Sequence, residues 1–562
     1  MQKKIIECVP NFSEGRDSAV INAIADAIRS VAGVRLLDVD PGEATNRTVM
    51  TFAGEPQPVM EAAFRAVREA SRLIDMRKHH GAHPRMGATD VLPLVPVQGV
   101  TLEECAEMAR ELGRRIAREL AIPVYAYEAS ALKAGRKNLA VCRQGEYEGL
   151  AARLGGDDPA DFGDRPFDDA IARTGATAVG ARNFLIAVNF NLNTTSTRRA
   201  NAIAFDVREK GRVLREGGSP AGKPLKDEQG NPLMQPGTLP ATKAIGWYIE
   251  EYGIAQVSMN ITDITRTPLH VAFDEVCRAA AARGIRVTGT EIVGLVPRSV
   301  LIDAGKYFLA KQQRSCGLPE HQIVDMAVKS MGLAELAPFE PEHKVIEYML
   351  SPSQDKSLTG LTARGLVYTT ASESPAPGGG SVSAYIGALG AALATMVANL
   401  SAHKPGWDDR WKEFSDVASE GQKIADELLA LVDEDTRAFN GVLEAVRMPK
   451  GTDEERAARQ HAMTSANIHA ARVPLATVET AARALPLLRQ MALKGNQASV
   501  TDAGVGALAI RTAMEGAAIN VRINLSSVDD PEASASILRS LQDAMKHIGE
   551  IDEIMQIVNS KI

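Results

Sequence analysis

Cysteine is scarce in this chain, a strong net charge is absent, and no long uninterrupted apolar run occurs. The five cysteines (Cys8, Cys105, Cys142, Cys277, Cys316) are odd in number and scattered, with no CxxC pair or zinc-like spacing. Disulfide frameworks and zinc ribbons are therefore disfavoured. A net charge of −7 gives no global attraction for nucleic acid or an anionic membrane, although it leaves room for local basic patches. Met1–Pro10 lacks the apolar core and small-residue cleavage site of a secretory leader. The most apolar stretch, Tyr385–Leu400, carries Gly387 and Gly390 and is short for a membrane span. These absences lead to the expectation of a cytoplasmic protein.

What is present is ordinary globular composition: 45% hydrophobic, 24% charged, 46 Gly and 28 Pro in 562 residues. That length exceeds one hydrophobic core and implies two to four domains. The first part alternates β-prone runs with helical patterns. Ile5–Val9, Val34–Val39, Thr48–Phe52 and Val91–Val97 read as strands, and Asp17–Ser30 and Pro58–Leu73 as helices. Two β-runs joined by a turn between helices predict an α+β split-βαβ (ferredoxin-like) layout and not a doubly wound sheet. A second unit of similar kind starts near Gly180, with β-runs at Phe184–Phe190, Gln256–Ile261 and Ile285–Val287 and a helix at Val271–Arg283. Within it, Gly211–Thr242 reads as a long exposed loop or hairpin. Tyr348 onward turns rich in Ser, Thr, Pro and Gly, as linkers do. Beyond it the chain is Ala-rich with helical period, predicting an all-α bundle. The expected divisions are 1–179, 180–347, a linker at 348–375, and 376–562.

Chemistry-bearing residues gather in three early segments: Val9–Gly15 (VPNFSEG), Asp38-Val39-Asp40 with Thr45-Asn46-Arg47, and His79–Gly87 (HHGAHPRMG). Each lies at a strand end or in a Gly/Pro loop, where functional groups concentrate. Asn11 and Ser13 also suit the cap of the helix at Asp17, and Asp40 suits a turn. Among His79, His80 and His83, Gly81 and Pro84 break helical ligand spacing, so proton transfer is the more natural role than metal binding. At least one of the three is expected to be a plain loop histidine. In the tail, Gly378-Gly379-Gly380-Ser381 opens a helix and fits either an anion-facing turn or a capped linker. Asp435 falls on an apolar stripe running through Phe414, Val417, Ile424, Leu428, Leu431, Phe439, Val442 and Val446. Asp433 and Glu434 point away from that stripe, toward solvent. An acid on a buried face needs a partner or a raised pKa, the property of a general acid/base, and a salt bridge is the structural alternative.

VPNFSEG, DVD with TNRT, HPRMGATDV and GATAVGARNFLIA, in that order, resemble the formiminotransferase domain of the formiminotransferase-cyclodeaminase family. APGGGSV, LVDEDTRAFN, VPL, GNQASVTDAGVGA and NVRINL are similar to its cyclodeaminase domain. The resemblance implies that His83, before Pro-Arg-Met-Gly, is the transferase catalytic residue, with Asp40 assisting and Asn46 in the substrate-binding set. It implies a folate-binding stretch from Gly163 to Gly175, where an acidic DRPFDDAIARTG run departs from the mammalian pattern and Gly163, Gly175, Ala176 and Thr177 still match. In the helical domain it implies Asp435 as catalytic acid, with Gly378, Gly379, Asn496, Asp502, Asn520 and Asn524 as pocket candidates. The implied activity moves the formimino group from N-formimino-L-glutamate to tetrahydrofolate, a co-substrate, then closes the ring to 5,10-methenyltetrahydrofolate with release of ammonia, no metal being expected. Rings of identical subunits that pass polyglutamylated folate between sites are implied too. The rival expectations are a fused methenyl-tetrahydrofolate cyclohydrolase and a non-enzymatic assembly protein.

Overall fold

The apolar opening of the chain forms a central strand, β1 (Ile5–Cys8), buried at every residue and followed by the two-residue β2 (Asn11–Phe12). The structure is a computed structural model that describes residues 4–43, 45–81, 84–156, 158–218, 221–350, 357–373 and 376–562. α1 (Ser18–Arg29) starts at Asp17, whose carboxylate accepts from Ala19 N at 2.9 Å. Asp17 thus satisfies the free first-turn N–H, and the cap is neither Asn11 nor Ser13. β3 (Val34–Gly42) and β4 (Arg47–Gly54) follow as an antiparallel pair, then α2 (Pro56–Leu73) and β5 (Thr89–Gln98). β1 lies antiparallel between β4 and β5, so the order β3-β4-β1-β5 is the split-βαβ frame. α3 (Leu102–Leu120), opened by a Thr101/Glu104 capping box, leads to β6 (Val124–Glu128). The short helices α4 (Leu139–Cys142), α5 (Leu150–Arg153) and α6 (Asp169–Thr174) lead to β7 (Thr177–Ala181). β7 pairs in parallel with both β5 and β6 and completes a seven-stranded sheet.

The frame then recurs. β8 (Ile186–Leu192) and α7 (Thr197–Val207) precede the tiny hairpin of β9 (Arg212–Val213) and β10 (Met234–Gln235) inside the Gly211–Thr242 insert. β11 (Thr242–Ile249), β12 (Ile254–Ile261), α8 (Leu269–Ala281) and β13 (Val287–Val293) complete it, in the order β11-β12-β8-β13. The last strand starts later than Ile285, because Ile285 N donates back to Ala280 O at 3.0 Å and closes α8. The two halves are alike in topology, as the α+β reading requires.

Close packing divides the chain into Met1–Ala304 with Met331–Pro352, and Gly305–Ser330 with Ser353–Ile562. The division falls within α9 (Arg298–Lys311), and most of α10 (Glu320–Met331) counts with the second unit. α11 (Ile346–Leu350) belongs to the first unit, and α12 (Ala363–Thr370) stands in the stretch whose composition suggests a linker.

The second unit is helical: α13 (Gly379–Ala402), α14 (Trp411–Arg447), α15 (Asp453–Ala482), α16 (Leu485–Lys494), α17 (Val500–Leu525), α18 (Pro531–Met545) and α19 (Glu550–Asn559). α13 is long and apolar enough by composition to cross a membrane, yet 61% of its most apolar window is buried in the bundle. Phe414, Ile424 and Leu428 of α14 are fully buried, whereas Phe439 and Val446 are 40% and 45% exposed. The apolar stripe therefore stays in the core only through the first two thirds of a helix roughly 55 Å long.

Candidate functional site

In the first unit the three early segments converge. Asn46, in left-handed backbone (φ 47), accepts from Gly15 N at 3.0 Å through Oδ1 and donates through Nδ2 to His80 O at 3.0 Å. Its own carbonyl faces His79 Nε2 at 2.8 Å. Ser13 Oγ donates to Gly87 O at 2.8 Å, tying the first segment to the third. Gly81 sits so close to the second segment that a Cβ there would lie 2.2 Å from Thr45 O. No larger residue fits without moving backbone.

The histidines separate clearly. His79 is buried; Asn46 O can only accept, so Nε2 carries its hydrogen while Nδ1 accepts from Arg85 Nε at 3.3 Å. Burial lowers its pKa, and the Asn46 bond opposes that shift. It is a neutral strut. His80 lines an adjacent cleft of about 870 Å³ together with Gly81, Pro84 and Arg85. His83 lies outside the described residues, and its described neighbours on either side, Gly81 and Pro84, line that cleft.

A second cavity of about 770 Å³ adjoins the first, sharing Asn138, Leu139, Arg143 and Lys243 with it, and runs between the twin halves. Of its walls, Asn11 and Arg47 fall in the segments singled out from the sequence, whereas Glu128, Arg143 and Arg182 do not. Asp90, 1% exposed, accepts from Met86 N at 3.1 Å and forms an ion pair with Arg143, which faces both cavities. Arg47 donates to Asn11 Oδ1 at 2.6 Å, and burial lowers its pKa against the pull of Asp90. Glu128 ends β6 in left-handed backbone (φ 54); desolvation raises its pKa, opposed by Arg182 and Lys243. A strained acidic residue at a cleft is a feature that no sequence signal announces.

Other expected contacts lie apart from these walls. Asp40 is exposed on β3, paired with Val49, so it is a strand residue and not a turn former; its charge reaches Arg47. Gly175, Ala176 and Thr177 are buried beneath the His-Pro-Arg-Met-Gly loop: Ala176 N donates to Met86 O at 2.9 Å. A Cβ on Gly175 (φ 66) would lie 2.2 Å from the same oxygen. Gly163 is exposed, and none of the four lines either cavity. Gly175 and Ala176 instead pack against the loop at Met86, whereas Thr177 N donates to Pro123 O.

In the second unit Asp435 meets the Gly-rich opening of α13. Ser381 N and Ser381 Oγ each donate to Asp435 Oδ2 at 2.8 Å. A Cβ on Gly380 would lie 2.2 Å from Oδ1, so only glycine admits the carboxylate. Burial raises the Asp435 pKa, and the two Ser381 bonds oppose the rise. Among the described residues no cationic partner pairs with Asp435, which speaks against the salt-bridge alternative. Asp433 and Glu434 keep partial exposure, and both also have partners: Asp433 accepts from Leu358 N at 2.6 Å and Thr359 Oγ1 at 2.7 Å, and Glu434 pairs at the surface with Arg437 and His469. Asn520 lies against Gly379, whose missing Cβ would sit 3.2 Å from its Nδ2, while Asn524 bridges to Ala470 O of α15 at 2.7 Å. Gly378 caps α13 beside them. Asn496 instead binds Ser401 Oγ through its N–H at 2.8 Å, twenty residues along α13 from Ser381. That separation is roughly 30 Å, and Asp502, in the first turn of α17, shares the far end.

A charged cleft between twin α+β halves and a half-buried carboxylate in a helical bundle define an enzyme with two separate centres. Family models agree in three consecutive pieces: "Formiminotransferase domain, N-terminal subdomain" over 5–182, "Formiminotransferase domain" over 187–351, and "Formiminotransferase-cyclodeaminase" over 362–543. A formimidoyltransferase-cyclodeaminase of Sus scrofa is 42% identical over 97% of this chain and 96% of its own length. A glutamate formimidoyltransferase of Streptococcus pyogenes is 41% identical over 54% of the chain and 93% of its own. A methenyltetrahydrofolate cyclohydrolase of Methylorubrum extorquens is 34% identical over 34% of the chain and 93% of its own. The chain belongs to the formiminotransferase-cyclodeaminase family.

Proposed function

We propose that the chain joins two folate reactions. In the front cleft the formimino group of N-formimino-L-glutamate moves to N5 of tetrahydrofolate, with His83 taking the N5 proton and delivering it to the departing glutamate nitrogen. In the bundle N10 attacks the formimino carbon and the original formimino nitrogen leaves as ammonia, giving 5,10-methenyltetrahydrofolate. The observation that carries this reading is Asp435, a half-buried carboxylate held by the two neutral donors of Ser381 and raised in pKa by its surroundings. Such a group can take a proton from N10 and return it to the leaving nitrogen; with the formimino group entering as its protonated amidinium, ammonia leaves with three hydrogens and the methenyl product keeps the positive charge.

Formiminoglutamate plus tetrahydrofolate, followed by methenylfolate absorbance and ammonia together, tests the pair. His83→Ala should abolish transfer and spare cyclisation of supplied 5-formimino-tetrahydrofolate; Asp435→Ala should do the reverse, each by ~10²–10⁴. Full activity of either variant in its own step refutes the assignment. Likeness of the bundle to a cyclohydrolase favours one rival, hydration of methenylfolate, and methenylfolate loss without ammonia release would select it. We further infer a cytoplasmic homo-oligomer acting on polyglutamylated folate. The oligomer is supported by the apolar residues Leu389 and Leu400 of α13 and Leu508, Ile519 and Ile523 of α17, all exposed on this one chain.

A further inference from the structure

We propose that Ser381 is a positioning residue that divides the Asp435 carboxylate into a fixed oxygen, Oδ2, and a working oxygen, Oδ1, with Gly380 providing the space in which Oδ1 sits. The inference rests on the reading of Asp435 as the proton carrier of the cyclisation. Both donors come from one residue and both reach the same oxygen at 2.8 Å, one from backbone and one from side chain. Ser381 is 1% exposed, so neither bond competes with bulk water. A carboxylate oxygen holding two such bonds has its lone pairs engaged and is the poorer base of the two. No hydrogen bond to Oδ1 is recorded among the described residues, and Oδ1 lies where a side chain at Gly380 would otherwise be. The N10 proton therefore passes to Oδ1 as the C–N10 bond forms. Oδ1 then gives it to the former formimino nitrogen, which entered as the protonated amidinium, as that C–N bond breaks; ammonia leaves with three hydrogens, the methenyl product keeps the positive charge, and the carboxylate is restored.

The surroundings leave Ser381 as the tuning contact. On α14 the nearest charged groups are Asp433, held by Leu358 and Thr359, and Glu434, held by Arg437 and by His469 of α15. α13 carries no charged side chain from Gly379 to Ala402, and α17 presents the neutral Asn520 to its first turn. None of these charges enters the balance at Asp435, which is burial against the two Ser381 bonds. Thr436 Oγ1, 3.5 Å from Ser381 Oγ, is the neighbour that steadies the hydroxyl.

The test is the pH profile of ammonia release from 5-formimino-tetrahydrofolate by the full chain. Ser381→Ala removes one bond to the charged form, so the Asp435 pKa rises and the acid limb moves to higher pH. A shift of about one pH unit is expected, with kcat lowered about tenfold at neutral pH, KM unchanged and transferase activity intact. Ser381→Thr, which keeps the hydroxyl, should restore the original limb. Gly380→Ala should reduce ammonia release by more than about 100-fold while the transferase step, measured in the same sample, reports an intact chain. An unshifted limb in Ser381→Ala overturns the proposal, as does a shift that Ser381→Thr fails to reverse. Asp435→Asn separates the levels: full ammonia release by that variant removes the underlying reading. An inactive Asp435→Asn beside an unchanged Ser381→Ala removes the positioning role alone.

Discussion

Replacing Asp90 by alanine should both destabilise the first unit and disable transfer. Its carboxylate is 1% exposed, and its partners include Met86 N at 3.1 Å, which anchors the loop after His83, and Arg143, which is 17% exposed. Breaking a buried ion pair by removing one partner typically costs about 3–5 kcal/mol. Arg143 faces a cleft and can recover some hydration there, which places the pair near the low end, about 3 kcal/mol. Loss of the bond to Met86 adds about 1 kcal/mol. The expected total is about 4 kcal/mol, with transfer reduced on the order of 100-fold as the loop loosens. Urea denaturation of Asp90→Ala, Arg143→Met and the double variant forms the assay, read beside both activities. The double variant should be less damaged than the sum, by ~2 kcal/mol or more, since it removes both members of the ion pair together. Additive costs, or an Asp90→Ala loss below about 1 kcal/mol, would refute the reasoning.

Two further outcomes are expected. Glu7, 4% exposed on β1, has its pKa raised from the usual 4.5 to about 7 by burial, with Arg182 opposing and Glu347 adding. The folded state thus holds a proton that the unfolded chain releases, so stability falls as pH rises from about 4.5 to about 7 and stays lower above it. Glu7→Gln should therefore raise stability at pH 8 by on the order of 2–3 kcal/mol and change little at pH 4, measured by thermal melts at both; equal shifts at the two would contradict this. Gly81→Ala places a Cβ against Thr45 O and should cost about 1–3 kcal/mol and most transfer activity, leaving ammonia release from supplied 5-formimino-tetrahydrofolate near wild type. Retained transfer would show that the loops tolerate separation.

The parts legible in the sequence are those written in local periodicity. Alternation and turn placement give the split-βαβ order because pairing neighbours are close in the chain, as β3 and β4 are. Asp435 is legible because an acid on an apolar helical stripe is anomalous, and its raised pKa follows from that burial. The same periodicity fails at Phe439 and Val446, since it cannot register where neighbouring helices stop covering α14. Asp90 and Arg143 are fifty-three residues apart and neither breaks a local rule, so only the fold reveals their pairing. His79 and His80 are adjacent and chemically identical; a carbonyl from Asn46 makes one a strut and leaves the other at a cleft. Distant contacts of this kind leave no trace in spacing.

The repeated four-strand frame bears on how such a chain can change. Each copy accepts additions at a different joint: the first grows past β5 through α3, β6 and β7, and the second between α7 and β11. Neither addition interrupts the pairings of the frame it joins. The first growth supplies Glu128 and Arg143 to the cleft wall, whereas the second reaches it at its two ends, through Glu209 and Ala241, and between them is an excursion closed by its own two-residue strands. One joint thus builds the cleft wall, and the middle of the other is open to lengthening, shortening or replacement as long as its ends at Glu209 and Ala241 stay in place.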